Sequence, residues 1–161
     1  MLLIDIFDER LINLDLRGTT KDTCFEELVG AIAALRADLD SAEMLSAIYD
    51  REAKMETSVM AGVAVPHGYC RGFEGIIGAI GLSRKGIDYC SAHHGPVHLL
   101  FLLLLGEGSR DTHLRVLSRL LHFLQSGAAA HIQQAKDPQE VRAILRDAPA
   151  GLAQGGGFVL P

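Results

Sequence analysis

The sequence predicts an α/β fold, a sandwich in which a central mixed β-sheet is flanked by helices. Helical periodicity with capping residues occurs towards both ends of the chain, and two apolar, strand-like runs occupy the middle. With 161 residues, of which 48% are hydrophobic, the chain has the size and the apolar content of one domain. We therefore expect one domain over residues 1–150, followed by a flexible, glycine-rich tail over residues 151–161.

Two helices are predicted in the first third of the chain. Thr23 and Glu26 stand at capping-box spacing, and apolar residues recur at helical intervals from there to about Ala37. A second helix is predicted to begin near Asp40, with Glu43 three residues on at capping-box spacing, and to run towards Arg51, because apolar residues follow on one helical face.

Strands are predicted in the middle of the chain. A β-branched, glycine-interrupted stretch predicts a strand that leads into a tight turn at Pro66-His67-Gly68. Residues 76–82 and 97–105 are predicted to form two buried strands. The second of these runs is apolar without alternation, which is typical of a central strand covered on both faces.

Two more helices are predicted after the last strand. A long helix is expected to start near Asp111, where leucines form a stripe at helical spacing. The last helix opens with Asp137 as N-cap, Pro138 at the first helical position and Glu140 three residues after the cap.

Composition excludes several classes of protein. The formal net charge is −5 and the basic residues are scattered, which argues against a nucleic-acid surface. Cys24, Cys70 and Cys90 form no C-x-x-C pair, so neither a disulfide framework nor a cysteine zinc site is indicated. No apolar run approaches the roughly 20 residues of a membrane helix, and the first residues do not form a signal peptide. We expect a soluble cytoplasmic protein without a cofactor and without direct membrane insertion.

His67 has the setting of a reactive side chain. It lies between Pro66, which fixes the preceding backbone, and Gly68, which leaves an open approach. A reactive imidazole needs such exposure on a rigid support. These residues alone are equally compatible with a turn histidine that has no chemical role.

The other histidines have simpler interpretations. His122 and His131 are expected to be surface or cap residues of the Asp111 helix. His93, His94 and His98 surround a Gly-Pro turn, and a metal site built from them is an alternative function. It is disfavoured because no carboxylate or thiol stands beside them at a recognised ligand spacing.

A set of short motifs occurs in order along roughly residues 5 to 147. Together they resemble the mannitol/fructose family of phosphotransferase system IIA domains, which includes nitrogen-regulatory IIA proteins. The motifs are Arg51-Glu52-Ala53-Lys54, Thr57, Gly62, Ala64, Val65-Pro66-His67-Gly68, Lys85-Gly86-Ile87-Asp88, Gly95-Pro96-Val97, His113-Leu114 and Ala135-Lys136-Asp137-Pro138.

The resemblance implies a role for each matching position. His67 would accept a phosphoryl group from the small carrier protein HPr, or a paralogue, and pass it to a IIB partner. Arg51 and His113 would flank the phosphorylated ring, and the fold would be the family's α/β sandwich.

Elementary chemistry agrees with these roles. Phosphoryl transfer spreads negative charge over three oxygens, and a guanidinium fork suits them. Arg51 should also disfavour the imidazolium form of His67, His113 would donate a hydrogen bond, and Thr57 would add a hydroxyl. Simpler alternatives are that Arg51 serves the C-terminal end of its helix, that Thr57 only packs and that His113 is a surface residue in the first turn of its helix.

The loop before His67 departs from the family pattern. Family members commonly have Ser-Thr-Gly-Ile-Gly-Asn-Gly where this chain has residues 56–62, with Ser58 and Met60 in place of two glycines. We expect a stiffer loop. Glu56 brings a negative charge close to the predicted phosphoryl site, at a cost on the order of 1 kcal/mol if it lies about 4 Å away in solvent.

Two functions fit this resemblance. The first is a phosphocarrier of the phosphoenolpyruvate-dependent sugar phosphotransferase system, which supplies a transporter through a IIB component. The second is a stand-alone, nitrogen-regulatory type of IIA protein whose phosphorylation state controls which proteins it binds.

Overall fold

A computed structural model describes residues 1–148, and the predicted tail over residues 151–161 lies outside the described residues. The predicted fold class is confirmed, since a six-stranded mixed sheet is flanked by helices. No helix within residues 1–148 is both long and apolar enough to span a membrane. The elements in chain order are α1 (Leu3–Ile6), β1 (Phe7–Asn13), α2 (Lys21–Leu35), α3 (Ser41–Glu52), β2 (Ser58–Met60), β3 (Val63–Ala64), β4 (His67–Glu74), β5 (Ile76–Ile87), β6 (Val97–Glu107), α4 (Arg110–Phe123), α5 (Ala129–Gln134) and α6 (Pro138–Arg146).

Strand β6 organises the sheet. On one side it pairs with antiparallel β5, and β1 lies beyond β5. On its other side it pairs in parallel with β3 and then, further along, with β4, where His67 lies opposite Leu103. Short β2 covers β3. His67 therefore begins a strand at one border of the sheet.

Both faces of β6 are buried, as the unbroken apolar run predicted. Alternate side chains point to opposite faces of a strand, so the run supplies two separate cores. One core also holds residues of α1, α4, α5 and α6, and the other holds residues of α2 and α3. The first receives Leu99, Phe101, Leu103 and Leu105, and the second receives Leu100, Leu102 and Leu104.

The helix caps of α3 and α6 are confirmed. The Asp40 side chain accepts a hydrogen bond from the Glu43 N–H at 2.9 Å, and Asp137 does the same for Glu140 at 2.9 Å. These caps depend only on neighbouring residues, which is why the sequence reveals them.

The predicted start of the first helix is wrong by one turn. The N-cap is Thr20, and Thr23 is the third helical residue rather than the cap. Backbone hydrogen bonds between residues 19–21 and Asp88 hold the chain extended as far as Thr20, so the helix starts directly afterwards. The helix ends at Leu35, before the predicted Ala37.

The predicted tight turn at Pro66-His67-Gly68 is also wrong, because the chain continues there as strand β4. The carbonyl of Pro66 accepts a hydrogen bond from the Leu103 N–H at 2.9 Å, so β6 holds this segment extended. Gly68 serves close packing, since a Cβ there would lie 2.5 Å from the carbonyl carbon of Ala47 on α3. Strand β1 was not predicted.

Helix α4 begins at Arg110, one residue before the predicted Asp111. It continues through a π-helical turn, Leu124–Ala128, in which Gly127 has a φ of 95°, and α5 follows after this kink. His131 lies on α5, while His122 is exposed on α4 with its Nδ1 2.9 Å from the Ser118 carbonyl oxygen.

Candidate functional site

Three elements bring the main predicted site residues together. His67 is the first residue of β4, Arg51 lies in the last turn of α3, and His113 is the fourth residue of α4. All three line one cavity of about 420 Å³. The ring centroids of His67 and His113 are 5.2 Å apart. Residues separated by 62 positions along the chain therefore form one site.

Both ring nitrogens of His67 have partners. Nδ1 lies 2.9 Å from the carbonyl oxygen of Val65, which only accepts, so Nδ1 carries the proton. Nε2 lies 3.1 Å from Nε of Arg51, which only donates, so Nε2 presents its lone pair. These partners fix one tautomer of a neutral imidazole.

His67 is less accessible than the sequence suggested. Only 8% of its surface is exposed. The expected open approach beyond Gly68 is absent because α3 packs against that glycine. Access to the ring is through the cavity.

The surroundings of His67 keep its imidazole neutral. Burial lowers the pKa of His67 most, and the Arg51 guanidinium lowers it further, while the hydrogen bond to Val65 opposes both. The predicted effect of Arg51 on the imidazolium form is therefore present, although burial contributes more. At neutral pH Nε2 therefore carries a lone pair, which accepts the hydrogen bond from Arg51 in the resting site.

The Arg51 side chain reaches over the loop that follows its helix. Its Nη1 donates to the carbonyl oxygen of Met55 at 2.9 Å while Nε donates to His67. The simpler alternative, in which the side chain serves only its own helix end, does not describe these contacts. Two hydrogen bonds orient the guanidinium, and within residues 1–148 its remaining N–H donors have no further acceptor.

His113 has one ring nitrogen bonded and one free of partners. Its Nδ1 lies 2.7 Å from the Tyr69 hydroxyl, whereas the buried Nε2 has no hydrogen-bond partner within residues 1–148. Burial, followed by the proximity of His67 and Arg51, lowers the pKa of His113 to about 4. His113 is therefore neutral at pH 7 and carries a single ring proton.

Tyr69 is a site residue that the sequence analysis missed. It lies two residues after His67 on β4, and residues two apart on a strand point to the same face. That alternation would have revealed it, but the predicted tight turn removed the reason to apply strand periodicity beyond His67.

Thr57 lies at the cavity, but its hydroxyl has other partners than those predicted. It donates to Oε2 of Glu52 at 2.6 Å and contacts the Tyr89 hydroxyl at 2.8 Å. The Thr57 N–H also donates to Oε1 of Glu52, at 3.2 Å. In this structure the buried carboxylate of Glu52 accepts the hydroxyl hydrogen of Thr57, so the phosphate contact of this hydroxyl stays a prediction. Lys21 approaches the same carboxylate at 3.6 Å.

The atypical loop before β3 is fixed by hydrogen bonds to a second loop. Ser58 and Ser91 each donate to Oε1 of Glu56 at 3.0 Å, and Oγ of Ser58 lies 3.0 Å from Nδ1 of His94. Burial raises the pKa of Glu56, but the hydrogen bonds that its carboxylate accepts from Ser58, Ser91 and the Ala92 N–H outweigh this effect. The pKa of Glu56 is therefore lowered. Glu56 lines the cavity, so its negative charge lies beside the site as expected.

The histidines around the Gly-Pro turn do not converge. The rings of His93 and His94 are 6.5 Å apart, and Nδ1 of His98 is occupied by the carbonyl oxygen of Ser83 at 2.9 Å. Across residues 1–148, no three histidine, cysteine, aspartate or glutamate side chains are placed to hold a metal ion together. The alternative of a histidine metal site has no support.

Sequence comparison identifies relatives of two kinds. A nitrogen regulatory protein of Bradyrhizobium diazoefficiens is 30% identical over 154 residues, which are 95% of this chain and 100% of that protein. A fructose-specific EIIABC component of the PTS system of Bacillus subtilis is 30% identical over 120 residues, which are 74% of this chain. The match spans only 19% of the length of that Bacillus protein.

Structure comparison gives the same result. The crystal structure of nitrogen regulatory protein IIA-Ntr from Neisseria meningitidis matches with a TM-score of 0.81 and 31% identity, over 89% of this chain and 98% of that one. IIA mannitol from Escherichia coli matches with a TM-score of 0.65 over 86% and 97% of the two chains, and at 17% identity this likeness concerns the fold alone.

The family comparison extends over nearly the whole described chain. The sequence model described as "Phosphoenolpyruvate-dependent sugar phosphotransferase system, EIIA 2" matches residues 5–148, a range that contains Arg51, His67 and His113. The resemblance noted from the motifs is confirmed. The chain belongs to the EIIA type 2 family of the phosphoenolpyruvate-dependent sugar phosphotransferase system.

Proposed function

We propose that this protein is a phosphocarrier that accepts a phosphoryl group on Nε2 of His67 and passes it on. One observation carries the proposal. The Val65 carbonyl holds the proton on Nδ1, so Nε2 keeps a lone pair, which accepts a hydrogen bond from the Arg51 guanidinium at the cavity that both side chains line. A neutral, oriented imidazole is the form of histidine that acts as a nucleophile.

His67 can accept the phosphoryl group without losing a proton. The Nε2 lone pair forms a bond to phosphorus while the bond between phosphorus and the donor nitrogen breaks, and the donor ring keeps that electron pair. Positive charge grows on the His67 ring as the new bond forms, and the Val65 carbonyl stabilises it by accepting from Nδ1–H.

Arg51 would act on the phosphoryl oxygens. In the resting site its Nε–H occupies Nε2 of His67, so this hydrogen bond must pass to a phosphoryl oxygen when phosphorus arrives. The Met55 carbonyl holds the other side of the guanidinium during this exchange. Arginine suits this role because its fork of donors matches phosphate geometry.

The surface around the cavity supports exchange with protein partners. Met55, Tyr69 and Leu114 are large side chains that are 45%, 52% and 57% exposed, and Met55 and Leu114 line the cavity. Clustered exposed apolar residues mark protein interaction sites. We propose HPr or a paralogue as donor and a IIB component of the fructose or mannitol type as acceptor, both in the cytoplasm.

Phosphorylation in vitro tests the proposal. The protein is incubated with phosphoenolpyruvate, enzyme I and HPr, and an acid-labile, base-stable phosphate is sought. We expect labelling of wild type and of the control His122→Ala, an exposed histidine on α4, and none of His67→Ala. Labelling of His67→Ala, or no labelling of wild type with cognate components, would overturn the proposal.

A nitrogen-regulatory role is the second candidate. It is favoured by the relative from Bradyrhizobium diazoefficiens, of which the match covers 100%, whereas the fructose-specific relative is covered over only 19% of its length. Pull-down with the phosphorylated protein and with His67→Ala tests it. The regulatory role predicts a non-transport protein that binds one state in preference. If no such protein binds either state and sugar uptake fails without the chain, the regulatory role is wrong.

A further inference from the structure

A single proton determines what His113 offers to the site. Because this ring is neutral at pH 7, either Nδ1 or Nε2 carries the hydrogen, and the other nitrogen carries a lone pair. Nε2 belongs to a residue that is only 8% exposed and has no hydrogen-bond partner within the described chain. The position of the proton therefore decides whether the cavity contains a donor or an acceptor at this point.

Tyr69 is the residue that can decide this position. Its hydroxyl lies 2.7 Å from Nδ1 of His113, and the two rings meet edge to face with centroids 5.4 Å apart. Among the ionisable groups of residues 1–148, those of His67 and Arg51 also act on the His113 ring. Neither of them forms a hydrogen bond to His113, so Tyr69 is its only side-chain partner within residues 1–148.

We propose that Tyr69 is a positioning residue for phosphoryl transfer, because its hydroxyl donates to Nδ1 of His113 and thereby places the ring proton on Nε2. This inference rests on the proposed function of His67. With the proton on Nε2, His113 donates a hydrogen bond to an oxygen of the phosphoryl group. The otherwise unpaired buried nitrogen thus gains a partner at the moment of transfer.

The opposite arrangement would hinder transfer. If Nδ1 of His113 donated to the Tyr69 oxygen, the Nε2 lone pair would meet the negative oxygens of the phosphoryl group. The partial negative charge of that nitrogen and the negative charge of the phosphoryl oxygens repel more strongly in a partly desolvated cavity than in water. Donors directed towards the place where charge develops are the usual means by which a protein stabilises such a transition state.

The half-exposed position of Tyr69 has a consequence for partner docking. The residue is 52% exposed while its hydroxyl is hydrogen-bonded to His113, so a docked protein that shields Tyr69 from water would strengthen this hydrogen bond. The Tyr69 side chain thereby connects docking of the partner with the orientation of the His113 N–H that donates to the phosphoryl group.

Nitrogen-15 NMR of the histidine rings tests the proposal without any phosphoryl donor. In wild type we expect Nε2 of His113 to show the shift of a protonated nitrogen and Nδ1 that of an unprotonated one. In Tyr69→Phe we expect a mixture of tautomers. Tyr49→Phe is the control, since Tyr49 lies on α3 and packs its ring against Phe25. A proton on Nδ1 in wild type, or an unchanged tautomer in Tyr69→Phe, would overturn the proposal.

Kinetics separate positioning from docking. We expect Tyr69→Phe to slow phosphorylation of His67 about tenfold, in keeping with the loss of one hydrogen bond to a charged group. In a His113→Ala background the same substitution should have no further effect. An equal slowing in both backgrounds would show that Tyr69 acts through the partner surface and not through His113. The proposed function itself is tested by His67→Ala, so its failure would be distinguishable from failure of this inference.

Discussion

Gly68→Ala tests how closely the site depends on packing between α3 and β4. A Cβ at Gly68 would lie 2.5 Å from the carbonyl carbon of Ala47, 2.6 Å from its oxygen and 2.7 Å from the nitrogen of Ile48. Non-bonded carbon atoms are comfortable at about 3.5 to 4 Å. All three neighbours are backbone atoms, so no side chain can rotate away, and α3 must separate from β4 by roughly 1 Å.

Two consequences follow, because α3 carries Arg51 and β4 carries His67. Overpacking of this size costs about 1 to 3 kcal/mol in the free energy of unfolding. The hydrogen bond from Nε of Arg51 to Nε2 of His67 is 3.1 Å long, and a further 1 Å would break it. A 1 Å misplacement of a positioned group reduces a rate by up to about a hundredfold, so we expect phosphorylation to slow by one to two orders of magnitude.

Urea denaturation and the initial rate of labelling measure the two effects. Gly30→Ala is the matched control, since a Cβ at Gly30 on α2 meets nothing within 4 Å. There we expect a gain of about 0.5 to 1 kcal/mol and an unchanged rate. If Gly68→Ala keeps the stability of wild type within about 0.5 kcal/mol and labels at the same rate, the reasoning from close packing is refuted.

Three further predictions concern charge and buried hydrogen bonds. Since the pKa of His113 is lowered to about 4, the unfolded chain gains a proton below about pH 6.5 that the folded chain does not. As the pH falls from about 6.5 to about 4, the free energy of unfolding should decrease with a slope of up to about 1.4 kcal/mol per pH unit. If His113→Gln shows the same slope as wild type over this range, the prediction is wrong. Thr57→Val removes a donor from the buried carboxylate of Glu52 and should cost about 1 to 3 kcal/mol in urea denaturation, whereas no loss would mean that the hydrogen bond contributes nothing. Glu56→Gln should raise the phosphorylated fraction at equilibrium by up to about fivefold, most clearly at low salt, and no change at any salt concentration would refute the predicted repulsion.

Features that depend on nearby residues could be predicted from the sequence. The caps at Asp40 and Asp137 were found because each one uses a side chain and a backbone N–H three residues later. The central strand was found because its apolar run leaves no doubt about burial on both faces. The start of α2 was misplaced because Asp88, which is distant in sequence, determines where the extended chain ends.

Strand β4 shows why other features could not be predicted. Its residues include two glycines and two charged side chains, Arg71 and Glu74, which do not favour a strand by themselves. It is extended because β6 offers a row of backbone partners, and that row is known only once the sheet has formed. The wrong turn at residues 66–68 then concealed Tyr69, which depends on strand periodicity.

Some site residues could be predicted from motifs, whereas the contacts of others depend on packing. His67, Arg51 and His113 were recognised through motifs, and the structure brings them together at one cavity. The partner of the Thr57 hydroxyl was not predictable, because Glu52 is an ordinary charged residue in the sequence and becomes buried only when α3 packs. A buried carboxylate is hydrogen-bonded to nearby donors, since the free-energy cost of leaving it unpaired exceeds the gain from a contact at the surface.

The separation of Arg51 and His113 between the two helical layers has a mechanical consequence. Helix α3 packs into one core and α4 into the other, and β4, which pairs only with β6 among the described strands, lies between them. A phosphoryl group that is hydrogen-bonded to both side chains would connect α3 and α4 across the border of the sheet. We expect amide hydrogen exchange at the facing ends of α3 and α4 to slow when His67 is phosphorylated and to recover when the phosphoryl group leaves. Phosphorylation of His67 would thus change the local rigidity at this border of the sheet as well as the charge of the site.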